Sequence, residues 1–230
     1  MLDGVDFTTN KKPRRRKRDP DGTRSAILEA AGKLLARDGP EGLSVSQVAQ
    51  LAGVNRGTAY QHFPTREQLL EATAAWVGEK LRLAVFGGQM ADPAAALGDP
   101  KMVAEQMTAF AMENPELGRV WLFEVLSSSR PDNDPFWHQY WTQFEKFAKS
   151  DMAQPGIDAE VHSVLMLLGT FLWPVFARSQ TRTAKDRQEL AQRFSNEILR
   201  WSLYGTMRPE KYPELDARVK KAAGTSKRSR

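Results

Sequence analysis

Between Leu43 and Leu70 the chain reads LSVSQVAQLAGVNRGTAYQHFPTREQLL, and polar side chains crowd a segment too short to hide them. Their chemistry is hydrogen bonding to an anionic, edge-rich surface. Asn55 and Thr58 can donate to phosphates or base edges, and Arg56 can meet a phosphate or fork onto guanine. Tyr60 and His62 can donate to phosphates, and Gln61 can pair with adenine. Gly57 omits a side chain where helix propensity alone would not choose glycine, which suits close approach to a large partner. Ser44 and Ser46 offer hydroxyls to the same surface, and Arg66 can hold a sugar–phosphate backbone from the flank.

Catalytic chemistry finds less support. The chain has three histidines, no cysteine, no phosphate-binding glycine loop and no pair of metal ligands at helical spacing. Lack of cysteine excludes a disulfide scaffold, a thiolate zinc site and a cysteine nucleophile together. An enzyme is therefore not expected, and neither a cofactor nor a metal site is implied.

Two short helices position the polar set. Ser44 or Ser46 suits the N-cap of the first, with Val48, Ala49, Leu51 and Ala52 on its apolar side. Gly53 ends it in a left-handed turn. Asn55 caps the second, which runs through Gln61 and His62 to Phe63, with Ala59 and Phe63 four apart on the inward face. Pro64 closes the unit, because the residue before a proline is biased away from helical geometry. This is the pattern of a helix-turn-helix.

The run Ala52-Gly53-Val54-Asn55-Arg56-Gly57-Thr58-Ala59-Tyr60-Gln61-His62-Phe63-Pro64-Thr65-Arg66-Glu67 resembles the DNA-binding segment of the TetR family of bacterial transcriptional repressors (TetR/AcrR type). So does the stretch from Ile27-Leu28-Glu29-Ala30-Ala31 through Gly39 to Ser46-Gln47-Val48-Ala49; the resemblance covers residues 22 to 75. It implies DNA contacts at Asn55, Gly57, Tyr60, His62 and Arg66, and a double-stranded DNA partner. It also implies a second, helical domain that binds a small-molecule effector and forms a homodimer, and a cytoplasmic protein.

The 230 residues allow one large domain or two small ones, and 41% hydrophobic with 27% charged residues is an ordinary globular balance. The formal charge of +5 is concentrated at the ends. Lys11 to Arg18 places seven cations in eight positions, a solvated tail or an arm for phosphates and the minor groove. No apolar run reaches the roughly 18–20 residues of a membrane span. The longest, Val164 to Val175, is interrupted by Gly169, Thr170 and Pro174, so no membrane partner is expected. The N-terminus lacks the apolar core of a secretory signal.

The first helix, capped by Asp21 or Thr23, buries Ile27, Ala31, Leu34 and Leu35 and stops at Gly39-Pro40. A longer helix begins at Arg66 behind Thr65, carries Leu69, Leu70, Thr73, Trp76, Val77, Leu81 and Val85 inward, and ends near Gly87-Gly88. Residues 91 to 100 read as a loop. Asp99-Pro100 and Asn114-Pro115 open two more helices, and Ser127 to Asp134 is a turn. An aromatic helix through Phe136 and Phe147 then ends at Pro155-Gly156. Asp158 caps Val161 to Phe176, which Pro174 kinks or closes, and a last helix spans Asp186 to Tyr204.

The expected fold is all-α. It comprises a disordered basic arm (1–20), a three-helix DNA-binding domain with helix-turn-helix (21–66), a larger helical ligand-binding and dimerisation domain (67–208) and a loose basic tail (209–230). In the larger domain most aromatics at helical spacing are core. Taken together they permit an apolar cavity between helices, with Met107, Phe110, Trp121, Trp137, Tyr140, Trp141 and Trp173 as candidate walls. Met102 and Met166 could add adaptable surface. Glu124, His138 and His162 are the polar residues placed to orient an apolar or aromatic ligand. A second reading, a sequence-indifferent DNA-packaging protein acting through its basic tails, stays open on these residues.

Overall fold

The computed structural model describes residues 20–87, 100–180 and 182–226. The basic arm at 11–18 and the loop expected over 91–99 lie outside them. Ten α-helices follow one another among the described residues: α1 (Pro20–Asp38), α2 (Val45–Ala52), α3 (Arg56–His62), α4 (Arg66–Phe86), α5 (Pro100–Glu113), α6 (Pro115–Ser127), α7 (Pro135–Ala148), α8 (Ala159–Gln180), α9 (Ala184–Gly205) and α10 (Pro213–Ser226). Three short 3-10 turns and one isolated bridge, Ala153 to Met207, complete them.

Local chemistry fixes the boundaries. Ser44, Asn55, Thr65, Asp134 and Thr183 each accept a backbone N–H at a helix start. Asp186 returns the bond at Thr183, closing a capping box. Gly53 ends α2 at φ 67°, in the left-handed region where a side chain would be strained. α1 begins at Pro20, earlier than a cap at Asp21 or Thr23 would set it, because proline's missing N–H costs nothing in a first turn. Pro174 lies within α8, and the helix continues to Gln180 rather than ending at Phe176.

The stretch 209–230 is not a loose tail over its described part. A 3-10 turn at Pro209–Lys211 leads into α10, whose Val219 is buried with Leu199, Leu203 and Met207. The Tyr204 phenol donates to Asp216 at 2.7 Å. α8 also corrects the expectation about membrane spans. By length and composition it is apolar enough to cross a bilayer, yet Ser163, Met166, Leu167, Thr170, Phe171, Pro174 and Ala177 are buried within the bundle.

Two cores organise the chain. The first gathers Ile27, Leu34 and Leu35 of α1, Val48 and Ala49 of α2, Ala59 of α3, Phe63 and Leu69, with Val120 reaching in from α6. The second gathers Val77, Leu81 and Val85 of α4 with Met107, Trp121, Phe136, Leu167 and Phe171. α4 therefore contributes to both, and Trp76 packs against each. At 21 residues it is about 30 Å of unbroken rod.

One buried carboxylate locks the second core. Asp134, 7% exposed, accepts from the Trp121 indole N–H at 2.9 Å and from the Trp137 backbone N–H at 2.9 Å. A Cβ at Gly78 of α4 would overlap the same carboxylate, so α4 approaches it through glycine's missing side chain. Burial raises the carboxyl above its ordinary value, against the N–H donors of Trp137, Trp121 and Phe136. Asp134→Ala removes a helix cap and leaves a buried indole N–H unpaired. A stability loss of roughly 2–4 kcal/mol is expected in urea unfolding, with Asp134→Asn losing less.

Candidate DNA interface and effector cavity

In the helix-turn-helix the candidate contacts divide between outward groups and groups held by the protein. Asn55, Arg56, Gly57, Tyr60 and Gln61 are exposed, while Ser44, Ser46, Thr58, His62 and Arg66 are half-buried. Asn55 spends its carbonyl oxygen on the Gly57 N–H at 2.8 Å, which leaves its amide NH2 for an external partner. Arg56 donates through Nη2 to the Ser46 hydroxyl at 2.6 Å, and Ser46 lies 3.3 Å from the Tyr60 hydroxyl. This chain of bonds ties α2 to α3 and orders one guanidinium and one phenol on a single face. Ser44 is committed to capping, exchanging bonds with the Gln47 N–H and side chain.

Arg66 also acts within the fold. Its guanidinium donates to the Pro40 carbonyl at 2.6 Å and the Leu43 carbonyl at 3.2 Å, pinning the turn after α1 to the start of α4. Those bonds satisfy carbonyls of the turn, and the side chain still keeps 37% of its surface exposed. Leu51, placed on the inward side of α2 by periodicity, is 51% exposed.

Between α5, α7, α8 and α9 lies a cavity of about 500 Å³. Its floor is the segment after α7, stitched to the end of α9. Gln154 N–H donates to Thr206 O at 2.8 Å and Arg208 N–H to Met152 O at 3.0 Å. Met107 and Val103 of α5, Tyr140 and Phe144 of α7, and His162 and Met166 of α8 form the upper walls. Phe144 and His162 stack, with centroids 4.5 Å apart at 13°. Burial lowers the His162 imidazole to about 4, and burial raises the Tyr140 phenol.

Of the walls expected from sequence, Met107, Tyr140 and Met166 line this cavity. The others do not. Trp121 is fully buried, its indole bonded to Asp134, and Trp137 is in the same core. Phe110 and Trp141 pack against that core from its margin. Trp173 stacks on Phe194 of α9 at 5.0 Å. Met102 is 47% exposed. Glu124 belongs to another cleft, between α4 and α6, beside Glu67 and Glu71. Burial first, and the Glu71 carboxylate second, raise its pKa against the pull of Arg66. His138 is exposed, away from the cavity. The physical reason is shared: a bulky ring fills space, so the largest aromatics pack the core and the cavity falls where medium side chains meet. Phe144, Phe147, Met152 and Met207 were not foreseen as walls. The last two sit in a segment with no helical period to reveal them.

Residues 27–73 match the model of the bacterial regulatory proteins of the tetR family. Over that N-terminal segment the chain is similar to this family. An HTH-type transcriptional repressor of Mycobacterium tuberculosis is 40% identical over 57 residues, 25% of this chain and 30% of that protein. The HTH-type regulator TtgR of Pseudomonas putida is 37% identical over 59 residues, 26% of this chain and 28% of that protein. The chain thus matches less than a third of the length of these curated relatives.

Solved structures extend the likeness of fold over most of the chain. A TetR-family regulator from Mesorhizobium loti superposes with a TM-score of 0.55 at 16% identity, covering 83% of this chain and all of that one. AibR, solved with isovaleryl coenzyme A and operator DNA, gives 0.56 at 18% identity, covering 76% and 97%. The all-α architecture, with an N-terminal helix-turn-helix and a larger helical domain, is therefore that of the TetR-family structures. Among the described residues no group of three or more acidic or histidine side chains could hold a metal.

The lowered His162 value makes a pH prediction. The folded state keeps the imidazole neutral where the unfolded chain, near 6.5, takes up a proton. The contribution is therefore whole above the unfolded value and lost as pH falls from 6.5 towards about 4. His162→Phe should flatten the fall of Tm over that interval; an unchanged slope would contradict the assignment.

Proposed function

We propose that the chain is a ligand-responsive transcriptional regulator, a cytoplasmic homodimer that represses from a near-palindromic DNA site and leaves it when a small molecule fills the cavity. The observation that carries this is α4. One continuous helix packs into the core of the DNA-binding unit at its start and into the core bordering the cavity further on. A shift in the second packing tilts the first. A tenfold release from DNA requires about 1.4 kcal/mol of difference in ligand affinity between the two states.

The dimer reading rests on an apolar face that one chain does not cover. Val161, Leu165, Leu172, Val175 and Phe176 of α8, with Trp201 of α9, are all more than a third exposed. Contiguous apolar surface of this kind marks an association site. Two-fold pairing would present two α3 helices to successive major grooves. AibR, solved with a coenzyme A thioester and operator DNA, offers a precedent in a like fold.

Three outcomes follow. Phe176→Arg should shift the protein to monomer in sedimentation and abolish cooperative DNA binding. Tyr60→Ala and His62→Ala should each weaken operator binding by roughly 1–3 kcal/mol with helicity and dimerisation intact. Selection of genomic fragments by the purified full chain at near-physiological salt, followed by sequencing, should enrich one inverted repeat. Fragments without a shared motif would favour packaging by the basic ends, and removing residues 1–18 would then abolish binding rather than only weaken it.

A further inference from the structure

Resting on the reading of the cavity as an effector site, we infer that its ligand is an uncharged, hydroxyl-bearing apolar molecule, recognised by the Tyr140 phenol and the His162 imidazole. Each ring has already spent one face on a neighbour. Tyr140 is only 5% exposed, and its face is stacked on Phe136 with centroids 5.6 Å apart at 12°. The face of His162 is likewise stacked on Phe144. Both rings line the cavity, so the second face and the heteroatom edge of each are what remain for an occupant. Among the described residues neither the phenol nor the half-buried imidazole meets a hydrogen-bond partner, so both stay open to one from an occupant.

Thr170, Ser202 and Tyr212 also line the cavity, and two further wall hydroxyls are already engaged. The Ser150 hydroxyl donates to the Phe147 carbonyl at 2.7 Å, and the Thr206 hydroxyl to the Ser202 carbonyl at 2.8 Å. Tyr140 and Phe144 are four apart on α7, so His162, stacked on Phe144, sits about one helical turn along from the phenol.

Chemistry then selects the ligand group. A phenol is a donor in search of an acceptor, and a neutral imidazole offers one acceptor nitrogen and one donor. A hydroxyl both accepts and donates, so it can serve either partner or both. Charge is selected against. Among the described residues no Asp or Glu lines the cavity, which leaves a cation unpaired, and burial keeps His162 neutral, so it offers no counter-charge to an anion. Lys146, the one charged lining residue, is exposed at the rim. The apolar body meets Met107, Met166, Phe144 and Ile198, adaptable and flat surfaces in a space suited to a small organic molecule.

The test uses the full chain and three matched probes, biphenyl, 4-phenylphenol and biphenyl-4-carboxylate, each displacing the dye N-phenyl-1-naphthylamine. The phenol should compete at about tenfold lower concentration than either other probe. Tyr140→Phe and His162→Phe should each erase most of that advantage while biphenyl binds as before, which also shows that the variants fold. Equal binding of biphenyl and the phenol, or tightest binding of the carboxylate, would overturn the inference. So would an advantage that survives both substitutions, or no displaceable dye binding by the folded protein. Operator release is read separately in a DNA-mobility assay. A phenol that binds through Tyr140 and His162 yet leaves the operator complex intact sustains the inference and removes the proposed ligand response.

Discussion

Asp134 holds three helices with one carboxylate. It caps α7, accepts the indole proton of Trp121 from α6, and lies against the bare backbone of Gly78 on α4. A charge or acid in so apolar a setting is tolerated only because its oxygens meet well-placed donors. Those donors come from different elements, so the carboxylate fixes their relative positions. The aromatic layer around it then packs with little freedom, with Trp121 edge-on to Phe136 at 5.4 Å and tilted against Phe171 at 4.9 Å.

In the proposed regulator this junction would join binding to response. Phe136 follows Asp134 by two residues and stacks on Tyr140, which lines the cavity. α7 is thus one short rod with the cavity along one part and the α4 contact at its start. A ligand that repositions Tyr140 acts on a helix whose end is fitted to Gly78. At the other end of α4, Arg66 clamps the Pro40 and Leu43 carbonyls, so the start of α4 and the turn before α2 move together. Gly32 of α1 sits close under the Trp76 ring, with Leu117 of α6 beside it, which seats the DNA-binding unit on the larger domain.

Much of this was legible in the sequence, where residues act through their own backbone. Ser44, Gly53, Asn55 and Thr65 each do at their own positions what their types favour, and the helix-turn-helix follows from them. Pro100 and Pro115 stand at the first positions of α5 and α6, where a missing N–H costs nothing. α10 could have been found that way, since Tyr212-Pro213 repeats the proline start, but its charged composition suggested a tail. The cavity was not legible. Its walls depend on the angles at which α5, α7, α8 and α9 cross, and a ring at helical spacing reads alike whether it fills a core, as Trp121 does, or borders a void, as Tyr140 does. The clamp made by Arg66 was hidden for a related reason: its carbonyl partners lie more than twenty residues away.

The central claim is that filling the cavity changes the separation of two DNA-reading heads in a dimer. Since the chain has no cysteine, Glu41→Cys in the exposed turn after α1 gives one spin label per subunit. Pulsed dipolar spectroscopy then reads the distance between heads in the free protein, on its selected DNA site, and after loading with 4-phenylphenol. A narrow distribution is expected on DNA, set by a groove repeat of about 34–36 Å, and a displaced distribution with the cavity filled. Identical distributions with and without the cavity occupant, under conditions where that occupant is shown to be bound, would contradict it.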